Sequence, residues 1–187
     1  MIVQEIFTTK IILEKCNIDL HRLLDKCLEY KKNVNPYNVV YRSNRGGAEQ
    51  CDEFYDEELY EQIFKNIPAL PNKPIKNIQC HSWVNYNPKG SWNDRHAHDP
   101  HNGNFLSGVF YVKVPENSGN ISFIDPRPHI STSPEMVYYN DGHHEIEFVP
   151  EPNLLMMFPS WLEHSVCMSN SDDMRISISF NLHHPVY

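Results

Sequence analysis

The spacing of apolar residues divides the chain into two textures. Leu20, Leu23, Leu24, Cys27 and Leu28 recur every three or four positions, which lines one face of a helix. Asn17 or Asp19 supplies the N-cap. Lys31 and Lys32 suit the negative helix end, so the helix is expected to stop near residues 30–32. A second helix is expected over residues 56–66, with Glu57 and Glu58 in its first turn and Leu59, Ile63 and Phe64 on one face. Between the two, residues 43–47 (Ser-Asn-Arg-Gly-Gly) read as turns, and Pro68, Pro71 and Pro74 as a stiff connector.

From residue 78 the period falls to two. Strands are expected over residues 78–87, 105–114, 121–124, 154–158 and 175–182, with residues 116–120 (Glu-Asn-Ser-Gly-Asn) as a turn. The last strand alternates Ile176, Ile178, Phe180 and Leu182 with Ser177, Ser179 and Asn181, as a strand with two unlike faces must. Several short strands with Pro- and Gly-rich turns and no βαβ rhythm point to a sandwich or barrel. No internal repeat interrupts this reading. The 187 residues therefore fit a single domain, helical over residues 1–75 and β-rich over residues 78–187.

Composition narrows the class. A hydrophobic fraction of 40% and an aromatic fraction of 12% belong to a globular chain. A formal charge of −8 makes bulk nucleic acid an unsuitable primary partner, because phosphate backbones are repelled. Cys16, Cys27, Cys51, Cys80 and Cys167 show no C-x-x-C spacing and read as reduced thiols that pack as small hydrophobes. No stretch approaches the roughly 18 apolar residues of a membrane span, nor does the N-terminus carry a signal-peptide pattern. A cytoplasmic protein without a membrane partner is the expectation.

The chemistry lies in the histidines. His96 and His98 stand at i and i+2, so on an extended chain they share a face and can bind one ion together. His164 follows across the β region, and Arg175-Ile176-Ser177 opens the last strand. A guanidinium and a hydroxyl on one strand face can clamp a carboxylate. Imidazoles that leave coordination positions open suit iron(II), which in oxygenases is normally held by two histidines and a carboxylate. Asn85, on the same face as Trp83, and Tyr111 are further candidates for hydrogen bonds to a co-substrate.

Several stretches together resemble a 2-oxoglutarate/iron(II) oxygenase family found in bacteria and tailed phages. They are His96-Ala97-His98, residues 106–112 (Leu-Ser-Gly-Val-Phe-Tyr-Val), residues 115–119 (Pro-Glu-Asn-Ser-Gly), Asp125-Pro126-Arg127, residues 158–161 (Phe-Pro-Ser-Trp), His164-Ser165-Val166 and residues 175–181 (Arg-Ile-Ser-Ile-Ser-Phe-Asn). Residues 43–47 add to the likeness, which is strongest over residues 83–181. The resemblance implies a double-stranded β-helix (jelly roll) and an iron(II) centre, with the N-terminal helices packed outside the larger sheet. It also implies 2-oxoglutarate as co-substrate, with its far carboxylate on Arg175 and Ser177. O2 and a further substrate complete the expected partners, and hydroxylation is the expected outcome. Exposed jelly-roll edges are compatible with a homodimer.

The wider superfamily carries H-x-D or H-x-E where this chain has His96-Ala97-His98. Three third ligands stand open: His98 itself, Asp99 if a bulge shifts the register, or Asp125 from a neighbouring strand. Each candidate also has a plainer reading. Arg175 would form a surface salt bridge with Asp172 or Asp173, Ser177 would face solvent, and His101, His143-His144 and His183-His184 would be solvated loop or terminal residues. Two other functions remain. A three-histidine dioxygenase without 2-oxoglutarate would not need Arg175, and a non-catalytic jelly-roll module would be indifferent to iron. A buried R-x-S argues against both.

Overall fold

The structure is a computed structural model that describes residues 8–33, 39–40, 42–68, 77–98, 103–127 and 144–184. In chain order its elements are β1 (Ile12–Lys15), α1 (Leu20–Asn33), β2 (Val39–Val40), β3 (Asn44–Arg45), β4 (Glu49–Asp52), α2 (Glu57–Lys65) and β5 (Gln79–Asn87). There follow β6 (Trp92–His96), β7 (Asn104–Lys113), β8 (Ile121–Ile124), β9 (Glu145–Phe148), β10 (Leu154–Pro159), β11 (His164–Val166) and β12 (Arg175–His183).

The strands form a seven-stranded sheet, ordered β1-β10-β7-β12-β5-β4-β2, and a five-stranded sheet, ordered β3-β6-β11-β8-β9. All pairings are antiparallel. The fold is a mainly β jelly roll, as expected. The five strands read from hydropathy are β5, β7, β8, β10 and β12, and β8 matches residue for residue. Residues before 75 supply more than helices: β1, β2 and β4 join the larger sheet and β3 the smaller. The segment read as turns at 43–47 thus holds the two-residue strand β3, followed by a turn at Gly46 and Gly47, whose φ values are 62° and 84°. Pro71 and Pro74 lie outside the described residues.

The alternation along β12 explains the layering. Ile176, Ile178, Phe180 and Leu182 enter a buried cluster with Val84 and Tyr86 of β5, Leu23 and Cys27 of α1, and Leu59 and Ile63 of α2. Both helices therefore lie on one face of the larger sheet. Tyr86 ties α1 down by donating its hydroxyl to Cys27 O at 2.6 Å. A second cluster, with Val109, Tyr111, Ile121, Phe123, Met156, Phe158 and Leu162, fills part of the space between the sheets. Arg175, Ser177, Ser179 and Asn181, the other face of β12, line a cavity instead.

The helices are also fixed by charge. Asp19 Oδ1 accepts from the N–H groups of His21 and Arg22, capping α1. Asp56, almost fully buried, caps α2 by accepting from Leu59 N at 3.1 Å and pairs with Arg22 at 2.7 Å and Lys26 at 2.8 Å. Burial alone would raise the Asp56 carboxyl. The hydrogen bonds from Arg22, Lys26 and Leu59 N outweigh it and hold the group well below the usual carboxylate range. Asp56→Ala is therefore expected to cost about 2–3 kcal/mol, read as a lower urea midpoint. Because the folded-state pKa is depressed, this contribution is present above the unfolded value near 4 and is lost as pH falls below it. The gap between parent and variant midpoints should narrow as pH falls from 7 to 3 and close only as pH nears the depressed folded value; a constant gap would refute the assignment.

Candidate metal and co-substrate site

Three of the expected residues converge. His96 ends β6 and His164 opens β11, and these two are Cα partners across the smaller sheet. The register slips just beyond them, between His164 and Val166. His98 lies past the end of β6, where its backbone N–H donates to Ser160 O at 2.9 Å. Ser160 is held in turn by Ser107 at 2.9 Å, and Ser107 donates to Asn181 Oδ1 at 2.8 Å, so the larger sheet supports the loop that carries His98. Ligand-capable atoms of His96, His98 and His164 all lie within 4.8 Å of one another, a spacing that could hold one metal ion.

The protonation of the three rings follows from their surroundings. His96 Nδ1 meets Asp94 O at 2.7 Å and His164 Nδ1 meets Leu162 O at 3.0 Å. A carbonyl only accepts, so both Nδ1 atoms carry the proton. The His164 Nε2 lone pair is left for a metal, and the His96 Nε2 lone pair meets only the Ser43 hydroxyl at a long 3.5 Å, a contact that a metal would replace. Burial lowers the pKa of all three. With the added charge of His96 nearby, His98 falls to about 4 and His164 to about 3. At neutral pH these imidazoles are neutral and ready to coordinate.

The same cavity, about 580 Å³, contains Arg175, Ser177, Asn85 and Tyr111. Arg175 is 3% exposed, and its Nη1 donates to Gly119 O at 2.9 Å while its Nε has no partner. The surface salt bridge does not form: Asp172 pairs with Lys89 at 2.6 Å and Asp173 with Lys113 at 2.7 Å. Burial depresses the Arg175 pKa, which is the sign of a desolvated cation without a carboxylate beside it. Ser177 does not face solvent either; it is buried, with Asn85 on one side and Tyr111 on the other as Cα partners. A register shift between Ile176 and Ser177 relative to β7 brings Tyr111 level with Ser177. Burial pushes the Tyr111 hydroxyl up to about 12, so it stays protonated and can donate. Asn85 is already engaged, its Nδ2 donating to Ser179 Oγ at 2.9 Å.

The other third-ligand expectations fare differently. Asp125 does not reach the histidines: it pairs with Arg127 at 3.0 Å and lines a separate cavity with Phe123 and His144. Asp99, His101 and His143 lie outside the described residues. His144 is exposed, His183 bonds Gln79 at 2.9 Å, and His184 stacks on Phe105. Sequence reasoning passed over the carbonyl of Gly119, the Ser107–Ser160–Asn181 support and Asn87, which lines the cavity beside Arg175. Of these, Asn87 was open to discovery, since it continues the alternation Trp83, Asn85, Asn87 on the strand face already chosen.

Both parts of an iron/2-oxo acid site are thus on hand: neutral nitrogen donors with free lone pairs, and a buried guanidinium that needs an anion. A family model described as "Putative 2OG-Fe(II) oxygenase" matches residues 81–181, a span that holds every residue of this site. The structure is similar to that of a prolyl-4-hydroxylase from Pseudomonas putida, with a TM-score of 0.65 and 16% identity, covering 95% of this chain and 94% of that one. It is also similar to HygX from Streptomyces hygroscopicus, solved with nickel and 2-oxoglutarate bound, with a TM-score of 0.64 and 10% identity over 96% of this chain and 85% of that one. A viral collagen prolyl hydroxylase from Paramecium Bursaria Chlorella virus-1, in complex with 2OG, gives 0.57 and 12% over 92% and 94%. No curated protein matches the sequence.

Proposed function

The chain belongs to the 2OG-Fe(II) oxygenase family, and on that premise we propose that His96, His98 and His164 hold its iron(II) while Arg175, with Ser177 and Tyr111, holds 2-oxoglutarate. The observation that carries this reading is one cavity lined by three neutral histidines and by a buried arginine without a carboxylate. Iron(II) and 2-oxoglutarate together supply a two-electron oxidation of the substrate by O2, coupled to decarboxylation of the oxo acid to succinate, and hydroxylation is the outcome we favour.

The protein's own residues do the rest. Arg175 offers its unpaired N–H groups to the far carboxylate, and the hydroxyls of Ser177 and Tyr111 add neutral donors from either side of the same row. Three neutral imidazoles leave the whole metal charge for the anionic co-substrate to balance. His98 is the favoured third ligand, because the Asp125 carboxylate is elsewhere. Trp83, Val109 and Phe158 line part of the cavity and keep water from that part of the wall. Gln50, Asn93 and Asn181 give the remaining wall an amide character that suits a polar substrate.

No helix among the described residues is long and apolar enough to cross a membrane. All five cysteines are unpaired, which supports a reducing, cytoplasmic setting. The reading is tested by anaerobic titration of the iron(II)-loaded protein with 2-oxoglutarate. A visible charge-transfer band should grow to one equivalent, and aerobic incubation should release succinate. Iron bound tightly with no band would sink the assignment of 2-oxoglutarate to this cavity.

A further inference from the structure

At the Arg175 end of the cavity, polar atoms are buried without a partner. Arg175 Nε is one, and both the nitrogen and the oxygen of the Asn87 amide are others. Asn87 is 1% exposed, lines the same cavity, and is the Cα partner of Arg175 across β5 and β12. Buried amides are nearly always satisfied, so one orphaned at both ends marks a place where a ligand belongs. The amide is orphaned whichever way it is turned, so the conclusion does not depend on which atom is nitrogen.

We propose that Asn87 is a 2-oxoglutarate-binding residue that closes the deep end of the co-substrate pocket and so sets the chain length of the 2-oxo acid accepted. The inference rests on the reading that Arg175 receives the far carboxylate. A count of donors and acceptors supports it. The guanidinium has five N–H groups, and Gly119 O takes one of those on Nη1 at 2.9 Å. Arg175 Nε–H can then donate to Asn87 Oδ1. The amide N–H2 and Arg175 Nη2 face the two oxygens of a carboxylate, and each orphaned atom gains a partner.

Register sets the depth. Along β5 the inward residues are Trp83, Asn85 and Asn87, and His98 packs beside Trp83 with ring centroids 6.0 Å apart. Asn85 is level with Ser177, and Asn87 is one pair further from the histidines, roughly 7 Å along the strand. Asn87 is therefore placed to meet the end of the co-substrate rather than its middle. A side chain at that position limits the length of the acid.

The test is anaerobic calorimetry of the iron(II)-loaded protein with 2-oxoglutarate and with 2-oxoadipate, one methylene longer, on the parent, Asn87→Ala and Asn87→Asp. For Asn87→Ala, affinity for 2-oxoglutarate should fall about 10- to 100-fold, as for a lost hydrogen bond to a charged group. The ratio of 2-oxoadipate to 2-oxoglutarate affinity should rise about tenfold, the discrimination expected for one methylene. Iron(II) affinity should be unchanged. In Asn87→Asp the new carboxylate takes Arg175 for itself, so 2-oxoglutarate binding should fall further while the melting temperature of the metal-free protein rises. Unchanged affinity and unchanged chain-length preference in both variants would overturn the proposal alone. A parent that binds iron(II) but not 2-oxoglutarate would overturn the Arg175 reading, and this inference with it.

Discussion

Replacing Arg175 by methionine is expected to weaken 2-oxoglutarate binding by about 3–5 kcal/mol, a loss on the order of 100- to several-thousand-fold. The same change should leave the melting temperature of the metal-free protein unchanged or raise it. The two effects have one cause. Arg175 is 3% exposed, no acidic side chain among the described residues pairs with it, and its Nε is unpartnered. A desolvated cation in that state costs stability until an anion arrives, and methionine of similar length removes the cost while keeping the packing. Arg175→Lys separates charge from geometry. It restores a cation but not a fork of parallel donors, so it should recover only part of the affinity. Affinity preserved within about threefold in Arg175→Met would remove Arg175 from the co-substrate site, given the size of effect expected for a buried charged pair.

The second large effect is at the metal. His164→Ala should abolish stoichiometric iron(II) binding, lowering affinity by more than the roughly 10- to 100-fold that follows loss of a residue merely supporting a ligand. His164 is nearly buried and its Nδ1 is committed to Leu162 O, so its lone pair at Nε2 has no other use among the described contacts. His98 decides between the ligand sets. If the centre is three histidines, His98→Ala loses iron as completely as His164→Ala, and His98→Asp retains it, since a carboxylate suits the same ion. Iron binding and the chelate band surviving in His98→Ala would transfer the third position to Asp99. Metal content by anaerobic equilibrium dialysis, with the circular dichroism of each variant as the folding control, reads all three outcomes.

Much of this site was legible before the fold. His96-Ala97-His98, the distant His164 and the R-x-S of Arg175 and Ser177 stand in the sequence as local patterns, and the side chains of His96, His98, His164, Arg175 and Ser177 line one cavity. The strand carrying Arg175 announced itself, because its outer residues are apolar and pack on the helices while its inner ones are polar. The strands that carry the histidines did not. β6 reads Trp-Asn-Asp-Arg-His and β11 only His-Ser-Val, with no apolar alternation to mark them. Their extended form comes from pairing with each other and with β3 and β8, partners that hydropathy cannot name.

The fate of Asp125 turns on the same distinction. In the sequence it is a carboxylate after a strand, a fair stand-in for the missing third ligand. In the fold it follows β8, bonds Arg127 and faces another cavity. Residue types and their period determined the class of fold, the two helices, the main strands and the candidate donor groups, because helical and strand periodicities are properties of the local chain. Tertiary structure alone decided which donors meet. The opposition of His96 and His164, the level row of Asn85, Ser177 and Tyr111, and the orphaned pair of Asn87 and Arg175 are matters of cross-strand register. Register is set by the joint burial of many side chains and the closure of many backbone hydrogen bonds, and a slip of one residue would turn each of these groups to the opposite face.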